Sequence, residues 1–493
     1  MNWKTVLKSL KNKDMQKRLL IVIGLIAAFR FLAHVPVPLA EPTKLKAVID
    51  GVIGSSDFGG FLNLLSGGAL SQIAIVMVGL NPFITASIIT QLLTKVVPSL
   101  EEINKDGETG RRKINQWTRI ATVPLAIVQS IAYIYILRQT FLAGSTAGSL
   151  ANGPLEWIIA VTAMTAGSIL LMWIGELITE QGIGNGISLL IFAGIISQFP
   201  TTFQSIISGL TDTSAGSLSV FGWFSIPVNP IVFWVVVVVA LLSLAILYVL
   251  VKINEAQRII TINYAKRVGG NTSYGGIKSI LPVKLIAAGV IPVIFAVAFL
   301  SLPAFLGQVL KATGNPAFQT VATNLTTWFS QPAQTAYASN SPSVLIYPVA
   351  YFLLVLLFTF FYTGIVFNSD EIAENLQKQG GFIEGIRPGL QTQKYLSTVV
   401  NRLTLFGSIA LGLIAVMPFA IEYVFVKLGI NASNLSIGGT GLLIVVTVGL
   451  ETLRQINSRA LMVTYDDYNV NDNEQPKNKK LLARLPKPRR QKA

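Results

Sequence analysis

The chain has 493 residues, is 52% hydrophobic and only 12% charged, and carries a net charge of +15 with one histidine and no cysteine. Without cysteine there is no disulfide, thiolate metal site or cysteine nucleophile, and His34 alone leaves no multi-histidine metal site. The apolar residues come in long blocks, which sets aside a string of soluble domains and points to a polytopic membrane protein.

In chain order, residues 3–18 are charged, and 3–10 fit a short amphipathic helix on the inner membrane surface. The first apolar run, 19–40, is long enough to span, so no cleavable signal is expected. Residues 61–65 form an apolar segment too short to cross, stopped by Ser66, Gly67 and Gly68. Residues 73–93 then supply about one bilayer's worth of apolar chain, bent by Pro82 and seeded with Asn81, Thr85, Ser87, Thr90 and Gln91. Broken backbone at membrane depth needs protein or a water-filled cavity to satisfy it, so 61–93 is a pore or cavity candidate.

Ten spans are predicted: 19–39, 73–96, 117–142, 155–178, 187–199, 230–251, 280–302, 344–367, 403–426 and 442–453, the fifth and tenth short. Nearly all of the 38 basic residues fall on one side of this alternation. The opposite loops hold only Lys44, Lys46, Lys311 and Lys427. Both termini are therefore expected in the cytoplasm. Loops 143–154, 201–229 and 307–343 read as external linkers rich in Ser, Thr, Gly and Asn, and the basic tail 469–493 as disordered, with anionic lipid as its simplest partner. Two cytoplasmic loops are longer than topology requires and point to a docked partner. Both show helical and turn signals, at 259–267 and at the Gly380-Gly381 break before Arg387-Pro388-Gly389.

Coupling chemistry is sparse. Arg30 and His34 share one helix face near its end, where snorkelling or pairing is the simpler reading than a relay. Glu176, Glu180 and Glu451 lie at span ends, and no carboxylate has a convincing midplane position. No phosphate-loop, nucleophile-elbow or zinc-protease pattern occurs, so no enzyme, cofactor or metal is expected. The glycines of 182–186 read as a tight turn between spans four and five that Asn185 adopts or caps. Leu80, Ile84 and Ile88, and Ile187 and Ile191, recur at i,i+4; ordinary packing explains that spacing, and a hydrophobic pore constriction is the functional alternative.

The motifs LSGGALSQ (65–72), GLNPFITASIITQLL (79–93), GELITEQGIGNGISLLIFAGI (175–195), NYAKR (263–267), AGVIPVIFA (288–296), GIRPGLQTQKYL (385–396) and GGTGLLIVV (438–446) are similar to those of the SecY family, the channel subunits of the bacterial Sec protein translocase. They span nearly the whole chain. The resemblance implies an all-α polytopic membrane protein, ten transmembrane helices in two inverted halves, 1–200 and 201–493, closed as a clamshell with a short plug helix at about 57–72. It implies cytoplasmic loops at about 252–284 and 368–402 and a cytoplasmic tail at about 454–493. The function implied is a non-enzymatic protein-conducting channel of the bacterial cytoplasmic membrane, passing unfolded secretory chains and releasing membrane helices sideways.

By motif position the pore ring is Leu80, Ile84, Ile191, Ile294 and Ile444. The plug is Phe61, Leu62, Leu64, Leu65, Gly67, Gly68 and Leu70, and the lateral gate is Ser87, Thr90, Gln91, Ile286 and Val290. Ile286 stands where many relatives have Asn, a departure from the polar gate cluster. The family's partners are SecE and SecG, with the SecA motor or the ribosome and its rRNA on Arg258, Lys266, Arg267 and Arg387. A secondary transporter with broken helices and a membrane scaffold or insertase are the other two readings. The first requires a midplane coupling carboxylate, and the second lacks an apolar pore ring.

Overall fold

A computed structural model describes residues 13–37, 74–143, 153–211, 218–220, 224–226, 229–264, 267–269, 272–274, 278–312, 316–332, 336–337, 342–427 and 439–473. The fold is mostly helical. The N-terminal helices are α1 (Lys13–Leu32), α2 (Asn81–Val96), α3 (Pro98–Lys105), α4 (Glu108–Ala143), α5 (Pro154–Glu180), α6 (Gly186–Ile196) and α7 (Phe199–Thr211). They are followed by α8 (Pro230–Glu255), α9 (Ile291–Ala312), α10 (Pro316–Phe329), α11 (Ile346–Val366), α12 (Ser369–Lys378), α13 (Leu390–Lys427) and α14 (Gly439–Asn473). Seven helical stretches are long and apolar enough to cross a membrane, and the pair α2–α3, bent by 104°, makes up to eight. α1 and α14, apolar for part of their length, complete the ten.

Several predicted boundaries are corrected. The second span does not begin as helix at 73: residues 75–80 are turns, Ala74 forms an isolated bridge with Pro36, and α2 starts at Asn81. This irregular segment is deeply buried, and its backbone is satisfied locally. Ile75 N–H donates to Val35 O at 2.9 Å, Met77 N–H to Ala74 O at 2.8 Å and Gly79 N–H to Val76 O at 2.9 Å. Gly79 turns the chain at φ 66°, and its carbonyl accepts from Ser168 Oγ at 2.7 Å. On α5, Gly167 permits the approach, since a Cβ there would lie 2.2 Å from Ile75 O. A straight apolar helix was the simpler local reading; the docking onto α5 overrides it.

The fifth span is not short, because α6 and α7 run together from Gly186 to Thr211. The loops 201–229 and 307–343 are accordingly not plain linkers: the first opens with α7 and contains strands β1 (Leu218–Val220) and β2 (Phe224–Ile226), and the second contains α10 packed on α9. The tenth helix also extends well beyond 453, to Asn473, so the tail begins helical. Residues 474–493 lie outside the described residues.

The helical reading of 259–267 is wrong. Gln257–Tyr264 is a strand, β3, because its run of β-branched residues, 259–262, finds a partner in the hairpin. β4 (Arg267–Gly269) and β5 (Thr272–Tyr274) follow, then β6 (Lys278–Lys284), which pairs antiparallel with β3. The seventh span therefore starts not at 280 but with α9 at Ile291. Gly381–Ile383, β7, adds to the other edge of β3, with Ile262 opposite Ile383. The two long loops thus share one three-stranded sheet, packed by Ile260, Val283 and Ile383 onto Leu396, Val399 and Val400 of α13.

α2 packs on α4, α4 on α5, α9 on α11 and α11 on α13. Contacts between the N-terminal and C-terminal groups of helices include α2 with α9 and α6 with α14. One large apolar cluster fills the space between them.

Candidate functional site

The five proposed ring residues come from separate places in the chain. Leu80 caps the start of α2, Ile84 lies one turn inside it, and Ile191, Ile294 and Ile444 sit on α6, α9 and α14. The structure brings all five into the same buried cluster, at exposures of 5%, 4%, 2%, 6% and 5%. Ile88 joins that cluster, and Ile187 packs against its margin.

A cavity of about 430 Å³ reaches this cluster. Ile84, Ile191, Ile294 and Phe295 are part of its apolar lining. Its polar lining is Ser87, Gln91, Asn115, Thr118 and Thr179, with Glu180 and the Arg119–Glu176 ion pair, 2.7 Å long and half-open to solvent. Residues from α2, α4, α5, α6, α9 and α11 thus surround one space. Such a wall offers wetted groups at one part and branched hydrocarbon at another.

The turn at 182–186 forms as read from the sequence. Asn185 caps α6, its side chain accepting from Ile187 N–H at 3.1 Å and Ser188 N–H at 3.3 Å. This holds α6, and with it Ile191, against α5. His34 Nδ1–H donates to the Arg30 carbonyl at 2.8 Å just beyond the end of α1, a local helix-end contact.

On α2, Gln91 Nε2 donates to Ser87 Oγ at 2.9 Å, while Gln91 Oε1 is buried with no hydrogen-bond partner among the described residues. Thr90 turns inward and donates to Ala86 O at 2.8 Å. Val290 immediately precedes α9, and Val290 and Ile286 are both buried in the apolar cluster. The Ile286 side chain lies against α13 at Gly407, where a Cβ would come within 3.4 Å of its Cγ1. Hydrocarbon therefore fills this position.

Arg258 and Arg387 are exposed on the shared sheet unit, and the Arg387 carbonyl is anchored by Thr392 Oγ1 at 3.0 Å. Arg267 opens β4, opposite Tyr274. Lys266 and all the plug residues, Phe61 to Leu70, lie outside the described residues.

Sequence reasoning missed Phe295 and Tyr362, whose rings meet edge-on at 6.2 Å on the cavity wall. It also missed that Arg119 and Glu176 pair. Each charge sits at the end of an apolar block, which is the one signal for the pair; spacing along the chain carries none.

The SecY family model matches residues 74–453. Protein translocase subunit SecY of Streptomyces galbus is 40% identical over 466 residues, covering 94% of this chain and 98% of that protein. The SecY subunit of Corynebacterium glutamicum is 38% identical over 468 residues, again covering 94% and 98%. A solved structure described as that of a protein conducting channel matches at TM-score 0.57 with 18% identity, covering 90% of this chain and 91% of that one. Sec61 in the canine ribosome-channel complex matches at TM-score 0.54 with 16% identity over the same shares. With the helix order, the buried convergence of four helices and this near full-length identity together, the chain belongs to the SecY family of protein-conducting channel subunits.

Proposed function

We propose that Leu80, Ile84, Ile191, Ile294 and Ile444 form the seal through which the polypeptide passes. The observation that carries this reading is their convergence, from four helices, in one buried cluster beside the 430 Å³ cavity. Branched apolar side chains dewet a narrow passage and yield to any sequence without binding it. No bond is made or broken, so the protein works without chemistry of its own. Residues 1–200 and 201–493 act as the two halves, with Phe61–Leu70 as plug. The seam opens where α2 meets α9. Both termini face the bacterial cytoplasm, as the basic loops require. Arg258, Lys266, Arg267 and Arg387 dock SecA or the ribosome, and SecE and SecG complete the complex; the ribosome-channel complex containing the Sec61 relative supports that class of partner.

The test is crosslinking of a stalled secretory chain to photoreactive residues at Ile84 and Ile191. Adducts at both positions are expected, and adducts at neither would refute the conduit. Gln91 provides a second test, of the seam. Its Oε1 has no partner among the described residues, and a buried acceptor left so costs about 1–3 kcal/mol. Gln91→Leu removes that cost and tightens the seam. Translocation of precursors with weakly hydrophobic signals is expected to slow several-fold, with strongly hydrophobic signals spared, as measured in inverted membrane vesicles.

A further inference from the structure

A second cavity, of about 270 Å³, lies among the ends of α2 and α11, the start of α12 and the first half of α13. It shares no lining residue with the larger cavity. Its lining is mainly polar and includes one cation, Lys95, and one anion, Asp370. Lys95 is exposed in the last turn of α2 and makes no ion pair among the described residues. Asp370 accepts a hydrogen bond from Gln393 and keeps its other carboxylate oxygen for a further donor.

Thr363 marks this cavity as a built site. It is 3% exposed and lies in the cavity wall, and its hydroxyl, itself buried, has no partner among the described residues. Threonine in a helix ordinarily donates to the carbonyl one turn back. Thr359, one turn earlier on α11, does so to Val355 O at 2.6 Å. Thr363 leaves that bond unmade, so its hydroxyl can turn to a ligand in the polar space its residue lines.

An exposed apolar stripe leads to the same place. Val349, Leu353 and Leu357 recur at i,i+4 on α11 and are more than half exposed. The stripe continues on that helix face through Phe360 and Gly364, which line the cavity. An acyl chain lying along α11 therefore ends with its headgroup at Thr363, Lys95 and Asp370. The lining holds one charge of each sign, so it suits a headgroup that does the same.

We propose that this cavity binds the headgroup of a zwitterionic phospholipid of the phosphoethanolamine class. The phosphate meets Lys95 and the Thr363 hydroxyl, and the ammonium meets Asp370. A bound lipid there would link the end of α2, one wall of the seam, to α11 and α13.

Native mass spectrometry of the full chain in detergent, with dioleoylphosphatidylethanolamine or dioleoylphosphatidylglycerol added, tests this. The wild type is expected to hold one phosphatidylethanolamine in preference to phosphatidylglycerol. Lys95→Ala should weaken that lipid about tenfold. Asp370→Asn keeps the acceptor for Gln393 and should erase the preference between the two lipids. Thr363→Val preserves shape and should lower retention without altering the thermal midpoint, which keeps the test valid if another variant misfolds. Equal retention of both lipids by the wild type, or unchanged retention in all three variants, would overturn the proposal. Displacement of the lipid by soluble O-phosphoethanolamine at equal concentration would overturn a membrane source. None of these readouts depends on the pore ring, so failure here leaves the conduit reading intact.

Discussion

Serine at Ile84, Ile191 and Ile294 together is expected to raise resting ion conductance in a planar bilayer by about tenfold or more. Each buried isoleucine contributes about 1.5–3 kcal/mol of burial, and tenfold corresponds to about 1.4 kcal/mol. All three line the same cavity and reach the same apolar cluster, so their loss widens one passage instead of three separate contacts. The serine hydroxyls also hydrate it, which removes the dewetting that seals a hydrophobic constriction. Ile84→Val alone, which removes one methylene, is expected to leave leakage near the wild-type level. Wild-type leakage in the triple variant would sink the ring assignment. The comparison has to be made on channels that co-purify with their small membrane partners at wild-type yield.

Arg387→Glu is expected to stop secretion while the protein still inserts and assembles. The side chain is exposed and makes no ion pair among the described residues, so reversal costs the fold little. The loop keeps its Thr392 anchor, since that bond uses the Arg387 carbonyl. Reversing a charge at a docking contact commonly costs about 2–5 kcal/mol, enough for more than tenfold in binding. Precursor uptake into inverted vesicles should fall accordingly, with SecE still co-purifying. Arg258→Glu should act in the same direction, because β3 and β7 place its loop and that of Arg387 on one sheet. Normal uptake by Arg387→Glu would remove the docking assignment.

The legible and illegible parts of this protein divide along a physical line. The ten helices were readable because hydropathy reports the solvent each segment meets, and that is a local property. The turn at 182–186 was readable for the same reason, as Asn185 bonds its own neighbours. The strand at Gln257–Tyr264 was not, because what decides it is pairing, with Lys278–Lys284 along its length and with Gly381–Ile383, more than a hundred residues on, at its end. The break at 74–80 looked like the beginning of a span. Only Gly167 and Ser168 of α5 explain why it is not helical.

The sequence by itself therefore determined the membrane class, the helix order, the side on which charge accumulates and, through motif resemblance, the family. Tertiary structure alone decided that five apolar residues on four helices join one large buried core, that two loops make one sheet, and that Ile286 lies against Gly407. Transfer of a side chain between water and lipid is a property of the segment. Convergence, pairing and close approach are properties of two segments at once, and neither sequence alone contains the distance between them.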